Sequence, residues 1–275
     1  MATLSIAIVT YRPDTVLLSR CLWSLGVAIE HATQAKLLSD VELIIIDNSS
    51  DSKIYEELRI ITYNNMNVSR EKIQVQTTQA NLGYGKAHNL AIRQVATDYH
   101  LVLNPDVILN KASLGNAIHF MKRHPNVVML TPSVVNASGM REYLNKRYPG
   151  LLTLLIRGFA PTSVRKLFVR RIAHYEMRDH NPDKVNYEIP LASGCFMLFR
   201  TSVLKQLGGF SDKYFLYFED YDLSIRTHDM GKIAYVPSVK IMHFGGGAAR
   251  KGLKHVFLFI RSSITFFNLH GWRRR

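Results

Sequence analysis

The sequence has 275 residues, 47% of them hydrophobic, with 16 Gly and 9 Pro and no low-complexity stretch; it can bury one large α/β core or two small ones, and its composition excludes a disordered chain. Lys and Arg outnumber Asp and Glu by 35 to 21, a net charge of +14, which calls for an anionic partner such as nucleic acid, an anionic membrane face or a phosphorylated small molecule. No zinc-finger, helix-turn-helix or RNP-like pattern is present, which argues against nucleic acid. No run approaches the roughly 18 apolar residues of a membrane span, and the N-terminus lacks a basic-then-apolar leader. The expectation is a cytoplasmic protein, free or peripheral on the inner membrane face. Cys21 and Cys195 lie far apart in apolar contexts, pointing to buried thiols rather than a disulfide.

In chain order, Leu4 to Thr10 fills with Ile and Val like a central strand. Pro13 and Asp14 then break it and open a helix with Leu18, Cys21, Leu22, Leu25 and Ile29 on one face. Val41 to Ile46 is a second strand ending in Asp47, a polar helix runs to about Thr62, and Ile73 to Gln76 is a third short strand. Asn81-Leu82-Gly83-Tyr84-Gly85 precedes a helix with Ala87, Leu90, Ala91 and Val95 inward, and Leu101-Val102-Leu103 is stopped by Asn104-Pro105-Asp106 because Pro105 cannot continue a central ladder. Strands alternating with helices at this spacing imply parallel βαβ units.

The second half reads as a helix over 112–124, a strand over 127–130, a basic stretch carrying the apolar run 151–156, and a strand over 193–199. Next come an acidic aromatic cluster at Phe218-Glu219-Asp220-Tyr221-Asp222 and a helix to about Met230. Strands over 233–236 and 239–242 then lead to His243 and a Gly245-Gly246-Gly247 run. From Lys251, the residues Leu253, Val256, Phe257, Ile260, Ile264 and Phe267 fall at helical spacing. This last helix either dips its apolar face into an anionic membrane or packs on the domain.

Asp47 can accept a base N–H or a ribose hydroxyl, or it can cap the next helix. Asn81, Gly83 and Gly85 precede a helix whose N-terminal N–H groups suit phosphate or sugar oxygens, or they are turn residues only. Asp106 and His243 each end a strand and can share one Mg²⁺ or Mn²⁺ held mainly by a diphosphate, or Asp106 belongs to an Asx-Pro turn that caps the strand and His243 is a surface residue. Glu219, Asp220 and Asp222 are the one acidic cluster of the second half in an aromatic setting. Their helical spacing makes Asp220 and Asp222 diverge, so that one faces a site while another caps the helix.

Taken in order, Ile8-Val9-Thr10-Tyr11, Ile46-Asp47-Asn48-Ser49-Ser50, Asn81-Leu82-Gly83-Tyr84-Gly85 with Asn89, Leu103-Asn104-Pro105-Asp106, Ser193-Gly194-Cys195-Phe196, Phe218-Glu219-Asp220-Tyr221-Asp222 and His243 resemble the family 2 glycosyltransferases. Within that family the closest likeness is to bacterial rhamnosyltransferases of surface-polysaccharide synthesis. The resemblance runs from Leu4 to about Phe267. It implies an α/β GT-A fold, a Rossmann-like half with a mostly parallel sheet merged with an acceptor-binding half, and inversion at the anomeric carbon. The implied organisation is one domain over 1–250, with nucleotide-sugar binding in 1–107 and acceptor binding in 108–250, followed by a basic amphipathic helix over 251–275. The implied donor site comprises Thr10, Tyr11, Asp47, Asn81, Gly83, Gly85, Asn89, Asn104, Asp106, Ser193 and Gly194, with Mg²⁺ or Mn²⁺ on Asp106 and His243. The resemblance assigns the catalytic base to Asp220, with Glu219 beside it. It makes dTDP-L-rhamnose the expected donor and a saccharide or polyprenyl-diphosphate-linked saccharide the acceptor. Another hexose or galactofuranose donor, or a non-catalytic basic surface-binding protein on the same fold, are the alternatives. The chain departs from the family's common Asp-x-Asp at Asn104, which leaves Asp106 as the charged member.

Overall fold

A computed structural model describes residues 1–66, 72–245 and 252–272. Expected features at Gly246, Gly247, Lys251 and Arg273 to Arg275 lie outside the described residues. The first half alternates β1 (Ala2–Thr10), α1 (Thr15–Gln34), β2 (Leu38–Asp47), α2 (Ser52–Asn65), β3 (Ile73–Thr77), α3 (Tyr84–Gln94) and β4 (Tyr99–Leu103). These strands lie side by side as β3-β2-β1-β4, all parallel. Parallel neighbours need crossover connections, and the helices supply them while covering both faces. Leu4, Ile6 and Ile8 pack with Leu18, Leu22 and Leu25 of α1, whereas Ala7, Val9, Ile44 and Ile46 on the opposite face meet Ala87 and Ala91 of α3. Helix α1 starts where expected because the Asp14 carboxylate accepts the N–H groups of Val16 and Leu17.

The second half runs β5 (Val107–Leu109), α4 (Ser113–Arg123), β6 (Val127–Val135), β7 (Arg141–Glu142), α5 (Leu151–Phe159), α6 (Thr162–Leu167), α7 (Val169–Tyr175), β8 (Phe196–Arg200), α8 (Thr201–Gln206), α9 (Glu219–Thr227), β9 (Lys232–His243) and α10 (Leu253–His270). It extends the same sheet as β4-β8-β6-β9-β5, with β7 on β6. Strand β8 is antiparallel to both β4 and β6. It is buried on both faces, Phe196 and Leu198 joining the first-half core and Met197 and Phe199 a second cluster, so the two halves share one sheet. The strand expected from Ser193 begins only at Phe196. The two strands expected over 233–242 are one, because β6 pairs Pro132 with Val236 and then Ser133 with Lys240. The irregularity absorbs Pro237, Ser238 and Val239, so the ladder survives a proline.

Helix α10 is amphipathic in an unexpected register. Phe267 does not share the exposed side with Phe257, Ile260 and Ile264; it is buried with Ser262, Ser263 and Phe266. Phe266 and Phe267 fill a cluster with Leu154, Tyr175, Tyr214 and Phe218, and His270 Nε2 lies 2.9 Å from Asp222 Oδ1. One face of the helix therefore belongs to the core and the other faces solvent. Among the described residues no helix is long and apolar enough to cross a membrane.

Candidate active site

The carboxyl ends of the first-half strands converge on one edge of the sheet, where ligands bind in open α/β folds. Thr10 and Asp47 end β1 and β2 as register partners, and Asp106 follows β4 on the other side of β1. Asp47 is fully buried. Its Oδ1 accepts the Ser49 N–H at 2.9 Å. It does not cap α2, whose N-cap is Asp51, with the side chain accepting from Lys53 N–H. Nine buried side-chain polar atoms lack a hydrogen-bond partner among the described residues; five belong to His88, His100, Thr201 and Tyr214, and the other four are Thr10 Oγ1, Asp47 Oδ2, Asp106 Oδ1 and Glu219 Oε2. Leaving such an atom unpaired costs about 1–3 kcal/mol. Three at the strand ends and one on α9 mark an edge built for a polar ligand.

The glycine-bearing loop before α3 is fixed by Asn48, a residue the sequence reading quoted without giving it a role. Its Oδ1 accepts the Leu82 N–H at 2.9 Å, and its Nδ2 donates to Asn81 Oδ1 at 2.9 Å and to Gly83 O at 3.2 Å. Asn81 Oδ1 also accepts the Gly83 N–H. Gly83 has φ +84°, and a Cβ there would stand 2.2 Å from Phe215 O; a Cβ on Gly85 would stand 2.7 Å from Phe210 Cβ. Both the left-handed backbone and the close approach require glycine at 83. The first N–H of the helix, on Tyr84, is already given to Phe215 O at 3.0 Å. Asn89 is committed too, because its amide both donates to Phe210 O and accepts from Phe210 N–H, each at 2.8 Å. Gly83, Gly85 and Asn89 thus clamp the 210–215 segment of the second half onto the first.

At the end of β4, Asp106 meets His243, the last residue of β9. Their Oδ1 and Nε2 atoms are 3.5 Å apart, while His243 Nδ1 is 3.4 Å from Glu142 Oε2 on β7. Glu142 was missed in the sequence because β7 is two residues long and carries no pattern. An unpartnered carboxylate oxygen beside an imidazole with a second carboxylate behind it fits Mg²⁺ or Mn²⁺. No group of three or more His, Cys, Asp or Glu able to hold a metal occurs among the described residues. Asp106 and His243 would therefore share the ion with ligand oxygens.

The acidic cluster opens α9. Tyr217 and Phe218 precede it with φ of +72° and +67°, strained for aromatic residues by about 1–3 kcal/mol each, and such strain gathers at functional sites. The turn sets Asp220 against Gly194: Gly194 N–H donates to Asp220 Oδ2 and Tyr221 N–H to Oδ1, both at 2.9 Å. Burial raises the pKa of Asp220. Glu219 is pushed up by burial and then by the charge of Asp220, so the two carboxyls titrate as a pair in a site that disfavours both being ionised. A raised carboxylate with both oxygens oriented is suited to general-base work. Asp222 is not the helix cap expected of it. It is buried, bonded to Arg226 Nε at 2.8 Å and to His270 of α10, and so ties α9 to the C-terminal helix.

Residues 2–257 match the family described as Glycosyltransferase like family 2. The chain is 28% identical to N-acetylglucosaminyl-diphospho-decaprenol L-rhamnosyltransferase of Mycobacterium tuberculosis over 98% of its own length and 86% of the relative's. It is 27% identical to rhamnosyltransferase WbbL of Escherichia coli over 59% of its own length and 61% of that protein's. Among solved structures, GalNAc-T7 with UDP, GalNAc and Mn²⁺ superposes with a TM-score of 0.62 at 14% identity, covering 90% of this chain and 45% of that one. TarS 1-349 of S. aureus in complex with UDP-GlcNAc gives 0.57 at 16% identity, covering 97% and 67%. The fold is GT-A, and the chain belongs to glycosyltransferase family 2.

Proposed function

We propose that the protein is a metal-dependent inverting glycosyltransferase that moves L-rhamnose from dTDP-L-rhamnose to a polyprenyl-diphosphate-linked saccharide at the inner membrane face, in synthesis of a bacterial surface polysaccharide. The observation that carries the chemistry is the Asp220 carboxylate, raised by burial and held at both oxygens by Gly194 and Tyr221. Asp220 takes the proton of an acceptor hydroxyl as that oxygen bonds to the anomeric carbon; the carbon's bond to the diphosphate breaks, and the electron pair leaves with the diphosphate. A single displacement inverts the anomeric centre. Mg²⁺ or Mn²⁺ on Asp106 and His243 would neutralise charge on the leaving diphosphate. The two rhamnosyltransferases among the relatives support the choice of sugar.

Asp47 and Thr10 are proposed to bind the nucleoside, because both carry a buried unpartnered oxygen at the strand ends. A ligand that binds only the native state raises the melting temperature. The expected result is that dTDP with Mg²⁺ stabilises the wild type in a thermal-shift assay and leaves Asp47→Ala unmoved. An equal shift in both removes Asp47 from the site.

Membrane contact is proposed through two adjoining surfaces. Helix α10 exposes Leu253, Phe257, Ile260 and Ile264, and α5 to α7 expose Leu151, Leu155, Leu167 and Val169. Between Tyr143 and Tyr175 the sequence has seven Lys or Arg and no acid. Near an anionic surface each cation contributes about 1 kcal/mol. Leu154 of α5 shares a buried cluster with Phe266 of α10 and with Phe218 and Tyr221 beside the base, which brings a lipid-borne acceptor close to Asp220. Deleting the whole helix is a poor test, since Phe266 and Phe267 are core residues. Leu167 is 82% and Phe257 64% exposed, so Leu167→Glu and Phe257→Glu leave the core intact. Both variants should co-sediment less with phosphatidylglycerol vesicles than the wild type does. Unchanged sedimentation removes this surface from the account.

A further inference from the structure

The first position of the Asn104-Pro105-Asp106 turn after β4 is an asparagine where the family pattern commonly has an aspartate, and its side chain lies beside the hydroxyl of Tyr84. Asn104 Oδ1 lies 3.0 Å from the Tyr84 hydroxyl, which is also 2.7 Å from Gly194 O, so its one proton faces two acceptors unless the Asn104 amide is turned end for end. Gly194 is the residue whose N–H holds Asp220. We propose that Asn104 and Tyr84 are positioning residues, a carboxamide–hydroxyl–carbonyl relay that fixes the Gly194 backbone and through it the orientation of the Asp220 carboxylate. The inference rests on the reading of Asp220 as the base.

The argument is one of proton counting. A phenol has one proton to donate, and burial together with Glu219 and Asp220 raises the Tyr84 pKa well above the usual phenol value, so that proton stays. Given to Gly194 O, the shorter contact, it leaves the hydroxyl oxygen as an acceptor. A carboxamide turned to present its NH₂ group can then donate to that oxygen, and the two ends of an amide exchange by a half-turn. An aspartate at 104 has no proton to give. It would instead compete for the Tyr84 proton, and a charged acceptor wins that competition, releasing Gly194 O. Glycine has the widest backbone freedom of any residue, so an N–H donor on Gly194 needs its own carbonyl tied down. Space is matched as well: a Cβ on Gly194 would stand 3.3 Å from Tyr84 Cε1 and 3.5 Å from Asp220 Cβ. Asn104 is thus selected by the base, and its replacement of an aspartate is not a weakened metal ligand.

The test is initial-rate kinetics on the full chain, with melting temperatures, for Tyr84→Phe, Asn104→Ala, Asn104→Asp, Asp220→Asn and the Tyr84→Phe/Asn104→Ala double variant. Tyr84→Phe keeps the ring and its edge contacts with His88 and Phe210; its kcat should fall about 10- to 100-fold, the scale of a misplaced catalytic group, while donor KM moves less than about twofold. Asn104→Ala should do the same, and the double variant should lose no more than Tyr84→Phe alone, because residues in one network are not additive. Asn104→Asp should lower kcat and not be rescued by excess Mg²⁺ or Mn²⁺. A gain in activity or a lower metal requirement in Asn104→Asp would instead identify position 104 as a metal ligand and overturn the relay. So would unchanged kcat in folded Tyr84→Phe, or additive losses in the double variant, provided Asp220→Asn is inactive. An active Asp220→Asn points to a different failure, that of the base assignment itself.

Discussion

Asp220→Asn should lose about 10²- to 10⁴-fold in turnover, the range for removing a general base, with donor affinity almost unchanged. The amide is nearly isosteric but accepts only one of the two N–H groups, of Gly194 and Tyr221, that the carboxylate accepts, so an unchanged melting temperature and donor affinity are what identify the loss as one of proton acceptance. Glu219→Gln should cost less, because it disturbs positioning more than proton transfer. The pH profile follows with a definite sign. Asp220 must be ionised to act, burial raises its pKa, and activity should therefore fall on the acid side of neutrality at a higher pH than an ordinary exposed aspartate would give. That limb belongs to the Glu219–Asp220 pair, because coupled carboxyls titrate together. Initial rates against donor concentration from acid to neutral pH, with saturating acceptor, check both statements. Near-wild-type turnover in Asp220→Asn with a dead Glu219→Gln would reverse the two roles.

Asp106→Ala should abolish most transfer, and so should excess chelator applied to the wild type. Asp106 Oδ1 is buried and unpartnered in the protein, with His243 3.5 Å away, so its removal deletes the one carboxylate that directly neighbours His243 Nε2. The loss should appear in binding as well as in rate: dTDP should raise the melting temperature of the wild type more with Mn²⁺ than without it, and that increment should vanish in Asp106→Ala. Glu142→Gln, which leaves Asp106 in place and alters only the partner of His243 Nδ1, should weaken the metal increment by less; outer partners of a ligating histidine are typically worth 10- to 100-fold in affinity. Full activity in excess chelator would leave Asp106 as a turn residue.

Much of the first half was legible because its strands are continuous apolar runs separated by helices, a pattern with one common solution, the parallel βαβ sheet. Asp14, Pro105 and Gly231 marked boundaries that the fold respects to within a few residues. The second half was less legible for particular reasons. Strands β5 and β7 have three and two residues, too few to show a period. Strand β9 runs through Pro237 by a bulge, which sequence rules read as a break. Asp222 looked like a helix cap, but its acceptors are taken by Arg226 and by His270, 48 residues away. Asn89 sat in a motif read as donor-binding, and both ends of its amide go to Phe210. Tyr84 carried no signal at all, since nothing local shows that its hydroxyl reaches Gly194, 110 residues on. Long-range side-chain hydrogen bonds decided Asp222, Asn89 and Tyr84, and periodicity does not report them.

The central claim is transfer with inversion from a rhamnosyl donor, and the stereochemistry of the product tests it most directly. The purified chain is incubated with dTDP-β-L-rhamnose, Mg²⁺ and polyprenyl-diphosphate-linked saccharide acceptors, and the anomeric configuration of the new linkage is read from the one-bond C1–H1 coupling in the NMR spectrum. Attack on the face opposite the diphosphate, assisted by Asp220, predicts an α-L-rhamnoside that is absent when Asp220→Asn is used. A β-linked product would contradict single displacement, and intact donor after prolonged incubation, while another nucleotide sugar is consumed with the same acceptor, would contradict the rhamnosyl assignment.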